Sequence, residues 1–99
     1  GNGQLNDPVG VTYALGIVYV ADARNHRVQY FTPSGSFLGK WGSFGTGNGQ
    51  FNWPSAVAVT ANGARVYVAD YRNHRIQYFR WSPAAVVPSS VGRIKALFR

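Results

Sequence analysis

Two short polar clusters bring a carboxylate, an amide, an imidazole and a guanidinium together: Asp22, Asn25, His26 and Arg27, and then Asp70, Asn73, His74 and Arg75. Those side-chain types can exchange protons, bind a metal or hold a turn. The turn reading predicts that Asp22 and Asp70 pair with Arg27 and Arg75 across a tight loop, with Asn25 and Asn73 bonded to the turn backbone. His26 and His74 are then donors that fix the turn, and no metal is expected because neither has a cysteine or a carboxylate cluster beside it. Ser55 with His26 and Asp22 makes no recognisable nucleophile, base and orienter set, and the Gly-x-Ser-x-Gly elbow is absent.

Arg24 and Arg72 occupy the middle of the same two turns with no acidic partner evident in the sequence, and Tyr71 and Trp53 lie in or next to these loops. Arginine beside aromatic rings suits stacking on unpaired bases, so the four are candidates for single-stranded RNA binding. The alternative places Arg24 and Arg72 in solvent and packs Trp53 between structural units. The counterpart of Trp53 is Asp7, which breaks any simple ring of aromatics. Gly42, Gly45, Gly47 and Gly49 suggest a phosphate cradle, yet the run lacks the Gly-Lys-Ser/Thr ending and leads into a strand, and Gly39-Lys40 precedes Trp41. No cofactor is expected.

The elements that position these residues are set by an internal repeat. Residues 1–14 (GNGQLNDPVGVTYA) return as 47–60 (GNGQFNWPSAVAVT) with seven of fourteen identities, and 18–31 (VYVADARNHRVQYF) return as 66–79 (VYVADYRNHRIQYF) with twelve of fourteen. The offset changes from 46 to 48 where Asn62-Gly63 marks a hairpin turn. β-Branched and aromatic residues predict strands at 9–14, 17–21, 27–31, 55–60, 65–69 and 75–80, with a fourth strand of the first unit at 36–41. In the tail, 93–98 after Gly92 is matched to 36–41 after Gly35 and predicted as the outer strand of the second unit; the competing reading is a short basic arm.

Four-stranded units at this period, apolar on both faces at Val18-Tyr-Val-Ala and Val66-Tyr-Val-Ala, point to all-β propeller blades rather than a sandwich or small barrel. The domain division is 1–46 for the first blade with its outer strand, 47–80 for three strands of the second, and 81–99 for the tail. In an antiparallel blade the loops after the second and fourth strands share one rim, which places 22–26, 70–74 and 42–53 together. The 99 residues carry ten Lys and Arg against three Asp, a net charge of +7, which favours polyanionic partners. There is no cysteine, hence no disulfide framework, and apolar stretches such as 18–21 and 84–87 are far below the roughly 18 residues that cross a bilayer, so no membrane insertion is expected. The absence of Met and the initial Gly1 suggest a fragment-derived or engineered chain.

Pro54, Ala56-Val-Ala-Val, Val66-Tyr-Val-Ala-Asp70 and Asn73-His-Arg-Ile-Gln-Tyr-Phe79 resemble the NHL repeat, with Arg27 and Arg75 in its third motif position. The resemblance covers 1–80 and implies a β-propeller, usually of six blades, in a family that includes RNA-binding propellers, a zinc-dependent peptide-amidating lyase, sensor domains and protein-interaction modules. The lyase would need several channel-facing histidines with catalytic Tyr and Arg, which no position here supplies, so no enzymatic activity is expected. Two blades cannot close a ring that needs about four to eight. The expectation is a non-enzymatic, self-assembling structural or interaction module, with three chains forming a six-bladed homotrimer. A four-bladed dimer and a longer ring are the alternatives in assembly, and RNA binding through the rim is the alternative in function.

Overall fold

The computed structural model describes residues 1–80 with their side chains and residues 90–94 as backbone. Eight strands form where β-branched and aromatic residues concentrate: β1 (Pro8–Ala14), β2 (Ile17–Asp22), β3 (Arg27–Phe31), β4 (Phe37–Trp41), β5 (Pro54–Val59), β6 (Arg65–Asp70), β7 (Arg75–Arg80) and β8 (Ser90–Ile94). They build two antiparallel four-stranded sheets, in the orders β1-β2-β3-β4 and β5-β6-β7-β8. The strands expected from the repeat recur within one residue at each end, except in the tail. There the outer strand begins at Ser90 and pairs with β7, whereas 93–98 was expected, and residues 95–98 of that expectation lie outside the described residues.

The correction in the tail has a cause in register. Gly39 of β4 lies opposite Tyr30, and a Cβ on Gly39 would overlap the Tyr30 ring. Gly92 takes the same place opposite Tyr78, so it corresponds to Gly39 inside the strand and not to Gly35 before it. Matching glycine to the tyrosine it accommodates, rather than to a turn, moves the strand toward the N-terminus.

Tight connections need left-handed backbone, and the sequence supplies it. In the β1–β2 hairpin Leu15 (φ 49°) and Gly16 (φ 81°) both take positive φ, the two-residue turn that matches strand twist. The two inserted residues of the second unit sit in the corresponding β5–β6 hairpin, where Gly63 (φ 73°) donates its N–H to Thr60 O at 2.8 Å and the Asn62 side chain accepts from Thr60 and from the Ala64 N–H.

Directly paired residues share a sheet face, which fixes how the sheets stack. One face of the first sheet carries Gly10 with Ala21, Thr12 with Tyr19, and then Val28 and Tyr30. It packs on the face of the second sheet that carries Val57 with Val68, Val59 with Val66, and then Phe79. The core between them holds Tyr19, Ala21, Val28 and Tyr30 from one side and Phe51, Val57, Val66, Val68 and Phe79 from the other. Trp41 meets Phe79 edge-on at 5.4 Å, and Phe51 meets Phe79 at 5.9 Å.

The inner strands β1 and β5 approach closely at Gly10, where an added Cβ would lie 2.8 Å from Ala56 Cα and 2.9 Å from Ser55 O. Both are backbone atoms that cannot rotate away, so Gly10→Ala should lower stability by about 1–3 kcal/mol. Urea denaturation checks this; an unchanged midpoint would mean that the sheets slide apart freely.

Candidate functional site: the rim turns and the blade boundary

Each sheet passes from its second to its third strand through a single 3-10 turn, Ala23–Asn25 in the first and Tyr71–Asn73 in the second. Each turn ends on a histidine in the left-handed region, His26 at φ 55° and His74 at φ 54°, where a non-glycine residue is uncommon. Beneath each turn an aspartate is fully buried. Asp22 accepts hydrogen bonds from the Asn6 N–H (2.7 Å), Asn25 Nδ2 (3.0 Å), Arg27 Nε (2.8 Å) and Gln29 Nε2 (3.2 Å). Asp70 accepts the equivalent set, from the Asn52 N–H (2.7 Å), Asn73 Nδ2 (3.0 Å), Arg75 Nε (2.7 Å) and Gln77 Nε2 (3.3 Å).

The expected ion pairs across the turn are therefore present, but the asparagines do not act as expected. Asn25 and Asn73 donate to the buried carboxylates, because these need donors in a dry site. Among the described residues, only Asn73 of the two also reaches a backbone carbonyl, that of Gly45 at 2.9 Å. The remaining guanidinium and amide donors hold the segment that precedes each inner strand. Arg27 reaches Gly1 O and Gln4 O, while Gln29 exchanges bonds with Gly3 and Gln4. Arg75 reaches Thr46 O, Gly47 O and Gln50 O, while Gln77 does the same with Gly49 and Gln50. The recurring Gly-Asn-Gly-Gln is thus the loop that each polar cluster clamps.

His26 is not a donor at its Nδ1. That atom accepts the Trp53 N–H at 3.0 Å, tying the turn of the first sheet to the start of the second, and the ring lies 4.9 Å from that of Phe44. Trp53 itself has φ 63°, as its counterpart Asp7 has φ 53°. Both rim arginines converge on its indole, Arg72 at 4.7 Å and Arg24 at 5.7 Å from the ring centroid, within cation–π range.

The expectation that Arg24 lacks an acidic partner is corrected: it forms an exposed ion pair with Asp7 at 2.9 Å. The pairing is 17 residues distant in sequence, and the left-handed backbone at Asp7 was not legible there. Tyr71 is 61% exposed, the state a stacking platform requires, and its N–H donates to Trp53 O. Sequence reasoning missed Phe51, which is fully buried against Gly42; the available signal was an apolar residue at the same place after Gly-Asn-Gly-Gln in both repeats, Leu5 and Phe51. Among the described residues no three of His, Cys, Asp and Glu gather around a point that would hold a metal ion, and no helix is long and apolar enough to cross a membrane.

The NHL repeat family matches this chain twice, over residues 5–31 and 51–79, which together exceed half its length. The chain belongs to the NHL-repeat family. It is 39% identical over 61 residues to Protein brain tumor of Drosophila melanogaster and 50% identical over 58 residues to RING finger protein nhl-1 of Caenorhabditis elegans. These alignments take in 61% and 58% of this chain but only 6% of each relative. A putative exported protein of Bacteroides fragilis NCTC 9343 superposes with a TM-score of 0.72 at 20% identity, over 95% of this chain and 26% of that one, a likeness of fold. The two stacked sheets are blades of the β-propeller type, and the NHL repeat suggests a protein-interaction module.

Burial pushes the Asp22 carboxyl up, but the Asn6 N–H, Arg27, Asn25 and Gln29 together outweigh it and hold it below its ordinary value of 3.8. The folded-state value is thus depressed. Its stabilising contribution is complete above that ordinary, unfolded-state value and is lost as pH falls through the folded-state value. Asp22→Asn should cost about 3–5 kcal/mol at neutral pH and should show a smaller loss of stability below about pH 4 than the parent chain. Urea midpoints measured from pH 7 to 2 check both, and an equal acid loss in the two proteins would remove Asp22 from the account.

Proposed function

We propose that the chain is a non-enzymatic interaction module whose two blades assemble head to tail with further copies into a closed propeller. The complementarity of its two open faces carries this reading. The outward face of the first blade presents Val11 and Tyr13, 67% and 62% exposed, above half-buried Val18 and the buried Val20 and Phe31. In repeat register these are Val57, Val59, Val66, Val68 and Phe79, the residues that the second blade turns toward the first. The outward face of the second blade is a shallow apolar groove lined by Ala56, Ala58, Tyr67, Ala69 and Ile76. These correspond to Gly10, Thr12, Tyr19, Ala21 and Val28, the face that the first blade turns toward the second.

Each open face therefore matches the partner of the other, and a second copy is the occupant whose chemistry already fits. Exposed β-branched and aromatic surface of this kind is a standing cost in water. Head-to-tail contacts close into a ring when the rotation permits, and three chains of two blades give the six-bladed ring. Light scattering should then return three times the 10.8 kDa chain mass, and Val11→Asp should give a folded monomer. A folded monomer for the parent chain would overturn the reading; another whole multiple would preserve the docking and change the blade count.

A second reading, binding of single-stranded RNA along the rim, draws support from the exposed Tyr71 and from Arg72, which has no acidic partner among the described residues. With Arg24 held by Asp7, a three-chain ring offers one such arginine per chain, so log affinity should fall with log salt at a slope of about −2. Affinity for an unstructured oligonucleotide that is unchanged by Arg72→Ala would remove this reading.

A further inference from the structure

Resting on the head-to-tail reading, we infer that Asp7 is the acceptor of an ion pair from Arg72 of the neighbouring copy, and that this pair locks the rim at each boundary between chains. The inference follows from the boundary that the chain contains. There Arg24 of the first blade reaches forward to residue 53 of the second, 5.7 Å from the Trp53 indole, while His26 Nδ1 accepts the N–H of the same residue at 3.0 Å.

The local frame on both sides of that boundary is repeated in the other blade. The Arg24 N–H donates to Asn6 O at 3.1 Å and the Arg72 N–H to Asn52 O at 3.0 Å, the Asn6 and Asn52 N–H groups both reach their aspartate at 2.7 Å, and the two histidines share one backbone conformation. Residues 7 and 53 also share the left-handed region, at φ 53° and 63°. A forward step from the second blade therefore carries Arg72 and His74 onto residue 7 of the next copy.

The residue waiting there is not a tryptophan. Where the boundary within the chain has a guanidinium over an indole, the boundary between chains has a guanidinium beside a carboxylate, and His74 Nδ1 meets the N–H of that same Asp7. Asp7 is 47% exposed and already accepts from Arg24 of its own chain through Oδ2 alone, so Oδ1 remains for a second guanidinium. Asp7 is the one acid among the three that is not buried, which makes it the acceptor that a chain of net charge +7 has available at its surface. An Arg72 engaged in this way is withdrawn from any phosphate, so the ion pair and the RNA reading compete for one side chain.

The test is a double-mutant cycle on the full chain, with assembly followed by sedimentation across a concentration series at low and high salt. Asp7→Asn and Arg72→Gln should each weaken assembly about tenfold at low salt, and the combined variant should be no weaker than the worse single change to within about threefold. The differences should shrink at about 1 M salt, where exposed charges are screened within roughly 3 Å. Circular dichroism of each variant confirms that the fold is kept. Single effects that multiply in the combined variant, or singles that leave assembly unchanged while the parent chain assembles, overturn the ion pair and leave the head-to-tail reading standing. A parent chain that stays monomeric overturns both.

Discussion

A buried carboxylate that must find its donors organises each blade. Asp22 and Asp70 are both wholly removed from solvent, and each collects four hydrogen bonds from a backbone N–H, an asparagine, an arginine and a glutamine. An unpaired carboxylate in that place would be intolerable, so the donors are fixed once the aspartate is fixed. Arginine then has guanidinium N–H groups left over, and they take up the carbonyls of the segment before the inner strand. A side-chain cluster at one strand end thereby decides the path of a loop that is distant in sequence and nearly devoid of secondary structure. The rim surface follows from it, since the clamped loop carries Trp53 to the arginines.

Much of the fold was legible because its determinants are local and occur twice. Twelve identities in fourteen positions place the second and third strands, the turn and the aspartate–arginine pair in both blades. The features that escaped are contacts between residues far apart in sequence. The Trp53 N–H finds the His26 ring 27 residues away, and Arg24 finds Asp7 17 residues away. Nothing in the composition of either segment announces these partners. The outer strand of the second blade was misplaced for a related reason: a glycine is read from sequence as a turn residue, whereas Gly92 holds its place opposite Tyr78 inside a strand.

The pattern of differences between the repeats has its own physical logic. Within 18–31 and 66–79 only Ala23 and Val28 change, to Tyr71 and Ile76, and both become larger. Ala23 and Val28 are fully buried at the boundary inside the chain, whereas Tyr71 and Ile76 belong to the open end. At the inner strand Gly10 likewise becomes Ala56, whose methyl group occupies the place that Gly10 must leave empty against the backbone of β5. Bulk has been added at residues 56, 71 and 76 of the open end and removed at one, where Thr12 becomes Ala58.

In the proposed assembly, a contact between chains cannot reproduce the spacing of the contact within one. The Ala56 methyl group would meet the backbone of the next Gly10 at the same overlap that excludes a Cβ from Gly10 itself, so the inner strands there must stand several tenths of an ångström further apart. The receiving face has changed in compensating directions: Leu5 is smaller than its counterpart Phe51, and Tyr13 is larger than Val59. Redistribution of volume at nearly constant chemistry is what packed surfaces tolerate best. A wider gap at the inner strands also makes the rim the place where the two copies can still meet closely, and there the pairing has passed from an indole to a carboxylate. An ion pair tolerates a few tenths of an ångström better than a packed core does, because Coulomb attraction falls slowly with distance while packing contacts do not. The polar substitution at residue 7 and the apolar enlargements at 56, 71 and 76 are in that sense parts of one arrangement, in which the boundary between chains is held more by charge at its edge and less by close packing at its axis.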